Sequence, residues 1–208
     1  MKEILYDWGG ANVWLFHAIN DVRFPGLDQA MLLGSTLGGH VLFPFYLGVL
    51  TVFALIVVNT PFHDSSRHRA RVSRWMAVIA VFSIAYLLDG LLLGFLKPLL
   101  DFPRPPLALP PGSLNIVGQP EFHRSLPSGH ASFAMLVTAS LWPLLKGEWR
   151  AAGVIFVLWV GISQVSLGAH FPADVVAGFI SSLAVVLLVY VAMQKLMRFV
   201  EVHFRSLY

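Results

Sequence analysis

The sequence predicts an all-α protein, a polytopic bundle of membrane-spanning helices, and three observations carry that expectation. Of the 208 residues, 57% are hydrophobic and only 12% are charged, about half the charged fraction of an ordinary soluble domain. Apolar runs approaching 20 residues recur along the chain, and roughly that length crosses a hydrocarbon layer of about 30 Å. The basic residues collect at the ends of those runs, and the net charge is only +3. That pattern fits membrane topology and argues against a nucleic-acid partner. The chain has no cysteine, which excludes disulfides, thiol nucleophiles and thiolate metal sites.

Taken in order, the N-terminus "MKEILYDWGGANVWLFHAIN" carries an acidic residue at position 3 and no small-residue cleavage site behind a long apolar core. It reads as mature protein and not as a cleaved signal. Within residues 1–40, "ANVWLFHAIN" (11–20) and "LDQAMLLGST" (27–36) are broken by "DVRFPG". Each is too short to span alone, so this segment is expected to form interfacial amphipathic helices or a bent, re-entrant first span. Five full spans follow, at about 41–58, 75–96, 130–146, 150–166 and 174–194. They are separated by "NTPFHDSSRHRARVSR" (59–74), a Pro/Gly-rich stretch from 98 to 127, "KGEWR" (146–150) and "LGAHFPAD" (167–174). With no internal repeat and no linker, residues 1–40 and 41–208 are expected to form a single domain.

The bias of basic residues sets an orientation. Arg67, Arg69, Arg71 and Arg74, then Lys146 and Arg150, then Lys195, Arg198 and Arg205 fall on one side when the spans alternate. That side is expected to be cytoplasmic. The Pro/Gly-rich stretch and "LGAHFPAD" then share the opposite, outer face.

Three polar clusters meet on that face. In "KPLLDFPRP", Lys97 and Arg104 are seven apart, and the prolines are expected to keep the segment non-helical. Alone it also fits a snorkelling lysine and a loop arginine. In "PSGH" (127–130), Ser128 and Gly129 lead into a helix whose first N–H groups make a natural anion site. An ordinary serine cap is the plainer reading. In "SQVSLGAHFPAD", His170 and Asp174 are four apart. A carboxylate beside an imidazole N–H fixes the tautomer and leaves the other nitrogen free as nucleophile or base, even where the acid also caps a helix. Together the clusters read as a phosphate pocket with a nucleophile and an acid. Their place at span mouths lets a lipid headgroup enter from the bilayer.

The three clusters resemble, in order and spacing, the signature of the type 2 phosphatidic acid phosphatase (PAP2) superfamily. Its pattern is Lys-x6-Arg-Pro, Pro-Ser-Gly-His and Ser-Arg-x5-His-x3-Asp, matched here by Lys97, Arg104 and Pro105, by Pro127 to His130, and by Ser163, His170 and Asp174. The resemblance implies that His170 attacks phosphorus, that Asp174 orients it, and that His130 protonates the leaving oxygen and then activates water. It also implies that Lys97, Arg104, Ser128, Gly129 and Gln164 hold the phosphoryl oxygens, with no cofactor and no metal. The implied substrate is a phosphorylated lipid presented at the outer face of a bacterial plasma (inner) membrane. Undecaprenyl diphosphate is first, with phosphatidylglycerol phosphate, phosphatidic acid and lipid A as alternatives. The loop "LALPPGSLNIVGQPEF" is placed to contact a headgroup or cover the pocket.

One position departs from the pattern: Gln164 stands where the family has arginine. Glutamine keeps hydrogen-bond donors but loses the charge and the bidentate fork, and Arg124 is the candidate replacement cation. A non-catalytic lipid-phosphate binder is the rival this departure leaves open. A channel or transporter fits less well, because Asp89 is the only clear mid-span charge and no repeated halves are visible. Asp89 itself is expected to make a structural hydrogen bond to a neighbouring span. The histidines outside the motifs, His17, His40, His63, His68, His123 and His203, read as interfacial or loop residues, with His123 kept in view because it adjoins the second motif.

Overall fold

The computed structural model describes residues 6–60 and 64–205, with 201–205 as backbone only. Residues 1–5, His63 and the side chains of His203 and Arg205 lie outside the described residues. Among the described residues the regular elements are helices: α1 (Ala11–Asn20), α2 (Leu27–Leu37), α3 (Phe43–Asn59), α4 (Ser65–Leu100), the single turn α5 (Pro105–Ala108), α6 (Gly129–Leu141), α7 (Glu148–Ser166) and α8 (Pro172–Arg205). Short 3₁₀ turns precede α1 and, at His40–Leu42, α3.

Among the described residues, four helical stretches are long and apolar enough to cross a membrane: His40–Asn59, Ser65–Ala108, Glu148–Ser166 and Pro172–Val200. Three expectations need correction. The region 59–74 is not a loop throughout, because α4 begins at Ser65. Asp64 caps it by accepting from the backbone N–H groups of Ser66 and Arg67 at 2.9 and 3.3 Å, a strong start signal inside a basic run. The segment after Lys97 is not wholly extended either. The helix continues through Pro98 and stops at Asp101, which adopts a left-handed conformation (φ 37°) and donates to the Lys97 carbonyl. At 36 residues, α4 is about 54 Å long, well beyond one hydrocarbon thickness. Its arginines therefore sit at the end opposite Lys97.

The third correction concerns the expected span at 130–146. Its helix is α6, only 13 residues or about 20 Å, ended by Trp142 and Pro143. A short helix suffices because other helices surround it. Ala131, Ser132, Phe133, Ala134, Leu136, Val137, Thr138 and Ser140 are all buried, so α6 is the axis around which α4, α7 and α8 pack.

Gly178 sets the closest of these approaches. A Cβ there would sit 2.5 Å from the Ser128 carbonyl oxygen and 3.1 Å from the Ser132 nitrogen, so only glycine lets α8 touch the start of α6. Both contacts are backbone and cannot rotate away. Gly178→Ala is expected to lower stability by about 1–3 kcal/mol, read as a fall in Tm of the detergent-solubilised protein. Activity is expected to fall with it, because His130 and Asp174 flank the displaced joint.

The N-terminal helices pack onto the α7–α8 junction. On α1, Asn12, Phe16 and Asn20 form one buried face at four-residue spacing. Asn12 accepts from the Ala173 N–H at 2.9 Å, and Asn20 donates to the carbonyls of Ser166 and Asn115 at 2.9 and 2.8 Å. Phe16 joins Ala131, Val165, Phe171 and Val175 in an apolar cluster. A larger core, built on Val78, Val81, Phe82, Phe133, Leu136 and Val186, holds α4, α6 and α8 together.

Candidate active site

At one end of the bundle a cavity of about 480 Å³ opens, and the three polar clusters meet there. Its wall includes Lys97 from the last turn of α4, Arg104 just before α5, Gly129 and His130 from the first turn of α6, Gln164 from α7 and His170 from the α7–α8 turn. Antiparallel packing explains the convergence. Helix ends far apart in sequence share a face, and the titratable residues of the three clusters lie at or beside those ends.

The His170–Asp174 pair is built by the start of α8. Pro172 opens that helix, where its missing N–H costs nothing, and Asp174 reaches back so that its Oδ2 accepts from the Phe171 N–H at 2.9 Å. The same oxygen lies 3.3 Å from His170 Nδ1. A proton on Nδ1 therefore leaves the lone pair on Nε2, which points at Arg104 Nη1 3.2 Å away. Two further groups, both missed by sequence reasoning, hold the carboxylate. Ser125 Oγ donates to Oδ2 at 2.5 Å, and the Tyr6 hydroxyl donates to Oδ1 at 2.9 Å. Tyr6 is 168 positions from Asp174, so no local spacing could reveal it. Burial, followed by the Asp174 charge, raises the Tyr6 hydroxyl above its ordinary range and keeps it a donor.

His170 is 2% exposed. Burial is the main effect on it and lowers its pKa; Asp174 opposes this, and Arg104 and Lys97 reinforce it. The imidazole is therefore neutral, and nucleophilic, to lower pH than a free histidine. The expected result is an acid limb of kcat/KM that sets in below about pH 6.5, the ordinary histidine value. A pH–rate profile with that limb centred above about 6.5 would contradict this assignment.

Arg104 is buried and already oriented. Its Nε donates to the His123 carbonyl at 3.1 Å, Nη1 to the Ala169 carbonyl at 3.3 Å, and Nη2 pairs with Glu121 Oε2 at 2.6 Å. Glu121 is 68% exposed, so an anion that takes Nη2 displaces a carboxylate that is free to turn to water. Lys97 Nζ donates to the Arg124 carbonyl at 3.3 Å.

The remaining expected residues divide. Gly129 and His130 line the cavity. Ser128 does not: it is fully buried and caps α6, accepting from the Ala131 N–H at 3.5 Å. Arg124 has positive φ (58°), its carbonyl accepts from Lys97, and its side chain is exposed and lies outside the cavity wall. Gln164 is buried, and its amide nitrogen donates to Ser35 Oγ on α2 at 2.9 Å and to Ser163 Oγ at 3.3 Å. Both amide hydrogens are thus engaged, and the side chain ties α2 to α7. His123 is a loop residue, 3.9 Å from Asp101. His40, read from sequence as peripheral, is part of the cavity wall.

The loop between α5 and α6 lies against the site, with Val117, Gln119 and Glu121 in the cavity wall. Reciprocal hydrogen bonds between Asn115 and Asn20 anchor it. Gly168 (φ 77°) permits the approach, since a Cβ there would run into the Asn115 carbonyl oxygen.

The sequence profile of the PAP2 superfamily matches residues 76–198. A lipid A 1-phosphatase of Rhizobium johnstonii is 30% identical over 116 residues, 54% of this chain and 46% of that protein. A lipid A 1-phosphatase of Rhizobium etli is 29% identical over 116 residues, 54% of this chain and 48% of that protein. The alignments thus span about half the length of these curated relatives. Among solved structures, Aquifex aeolicus LpxE superposes with a TM-score of 0.68 at 26% identity, covering 86% of this chain and 94% of that one. A transmembrane PAP2-type phosphatidylglycerolphosphate phosphatase from Bacillus subtilis superposes with a TM-score of 0.68 at 22% identity, covering 91% and 88%, a likeness of fold.

Proposed function

The chain belongs to the PAP2 superfamily, and on that premise we propose that it is an integral membrane lipid phosphatase working through a phosphohistidine. The observation that carries this reading is the lone pair of His170 Nε2, facing Arg104 inside the cavity while Asp174 holds Nδ1. A phosphate drawn in by Arg104 and Lys97 meets that nitrogen directly. Nε2 forms a bond to phosphorus as the bond from phosphorus to the lipid oxygen breaks, and His130 gives that oxygen its proton. His130 then takes a proton from water, whose oxygen attacks the phosphohistidine. Inorganic phosphate leaves and His170 is restored. Arg104, Lys97 and the first N–H groups of α6 stabilise the charge on the equatorial oxygens. No step calls on a metal.

The substrate reading is lipid A carrying a 1-phosphate, supported by the names of the two curated relatives; this moves undecaprenyl diphosphate, first in the sequence reading, to a comparator. The site is read as extracytoplasmic in a bacterial plasma membrane, a reading supported by the arginines at the opposite end of α4. The test is phosphate release by the purified protein from lipid A, undecaprenyl diphosphate, phosphatidylglycerol phosphate and phosphatidic acid, each with and without EDTA. The highest kcat/KM is expected on lipid A, unchanged by EDTA. Release from none of the four would leave a non-catalytic binder, and loss with EDTA would sink the metal-free mechanism.

A further inference from the structure

We infer that His40, held by Asp89, is a third phosphate-contacting cation of this pocket and supplies the positive charge that Gln164 does not; the inference rests on the lipid-phosphatase reading. His40 opens the 3₁₀ turn before α3 and shares the cavity wall with Lys97, Arg104, His130 and His170. Its ring is fixed between aromatic neighbours, 5.1 Å from Phe133 and 6.1 Å from Tyr86, centroid to centroid.

The two edges of that ring face different partners. Nε2 is buried, makes no hydrogen bond, and lies 3.7 Å from Asp89 Oδ2. Asp89 is fully buried, and the Ser132 hydroxyl reaches its two oxygens at 2.9 and 2.8 Å. This is the hydrogen bond to a neighbouring helix that the sequence predicts, but one hydroxyl hydrogen does not compensate a buried carboxylate, which needs a counter-charge. Among the described residues, His40 Nε2 is the side-chain nitrogen within ion-pair distance of that carboxylate. The Cε1–Nδ1 side of the ring lies beside the start of α6: a Cβ built on Gly129, the first residue of that helix, would meet His40 Cε1 at 3.4 Å and Nδ1 at 3.7 Å. In this proposal an Nδ1–H of His40 and the first N–H groups of α6 share one bound phosphate. The residue before His40 also lies beside the second motif: a Cβ on Gly39 would be at contact distance, 3.9 Å, from His130 Nε2. With Lys97 and Arg104, His40 brings the pocket to three cations.

A purely structural His40 would serve only to neutralise Asp89, and two substitutions separate the roles. His40→Gln keeps an amide donor near Nε2, toward Asp89, but removes the charge and the Nδ1 donor. His40→Asn keeps a donor near Nδ1. Calorimetric titration with inorganic phosphate is expected to show affinity at least about 10-fold weaker for His40→Gln, with His40→Asn recovering part of it. kcat/KM on the best lipid of the panel is expected to fall roughly 10- to 100-fold for His40→Gln. Adding Asp89→Asn to His40→Gln removes the charge that needs neutralising and is expected to leave both defects in place. Phosphate affinity and turnover of His40→Gln within about two-fold of the parent, or their return in the double variant, would overturn the proposal. If His40→Gln does not fold, the double variant and His40→Asn carry the same comparison against the parent. A parent protein that releases phosphate from no lipid counts against the phosphatase reading, while the phosphate titration still decides His40.

Discussion

His170→Ala is expected to lower kcat on the lipid substrate by about 10⁴- to 10⁶-fold, the scale of removing a covalent nucleophile, while lipid affinity changes by only a few-fold. The reason is geometric. In the proposed mechanism Nε2 is the atom that bonds to phosphorus, and its ring is the imidazole held against Arg104 among the described residues. The cavity wall contributes Lys97, Arg104, Gly129 and His130 independently of the imidazole, so the variant should still bind phosphate. Single-turnover measurements at saturating lipid, with phosphate titration as control, separate the two effects. A loss below about 100-fold would mean that water attacks the lipid phosphate directly and that no phosphohistidine forms.

Arg104→Lys is expected to lower kcat/KM by about 10²- to 10³-fold, the cost of losing preorganised donors to a developing oxyanion. Lysine keeps the charge but cannot copy the fork. The guanidinium holds the His123 carbonyl, the Ala169 carbonyl and Glu121 through three different nitrogens and places Nη1 beside His170 Nε2. A lysine ammonium is a single flexible point charge. The loss should fall mainly on kcat, because Lys97 still attracts the anion. If Arg104→Lys mainly raised KM and left kcat intact, Arg104 would be a docking charge and not part of the transition-state cradle.

Much of the site was legible in sequence because its chemistry lies in short segments at helix ends. Lys97 and Arg104, Gly129 and His130, and His170 with Asp174 each sit within a few residues of a proline or glycine that ends or starts a helix. The helical, membrane-spanning class was equally legible, since it follows from composition and the length of apolar runs. Three boundaries were not. Asp64 starts α4 inside what reads as a polar loop, and Pro98 fails to stop that helix. The third is the end of α6 at Leu141. Hydropathy alone carries that run on to Lys146, but Trp142 and Pro143 turn the chain while it is still apolar.

What the sequence determined by itself is the local chemistry: which residues carry charge, which cap a helix, and which acid can reach which histidine over one turn. What only the tertiary structure decided is the set of partners brought from a distance. Tyr6 and Ser125 on Asp174, Ser35 on Gln164, and His40 on Asp89 are pairings between elements with no periodic relation. The Gln164 amide nitrogen donates to Ser35 and Ser163, and the first of these contacts comes from the packing of α2 against α7. Arg124 is the third cation the sequence suggests, whereas His40 reads there as peripheral. The Arg124 side chain is exposed, while the fold brings His40 into the cavity wall beside Gly129. The physical reason is that hydrogen bonding and burial act through space, whereas sequence spacing reports only on neighbours within a turn or two of helix.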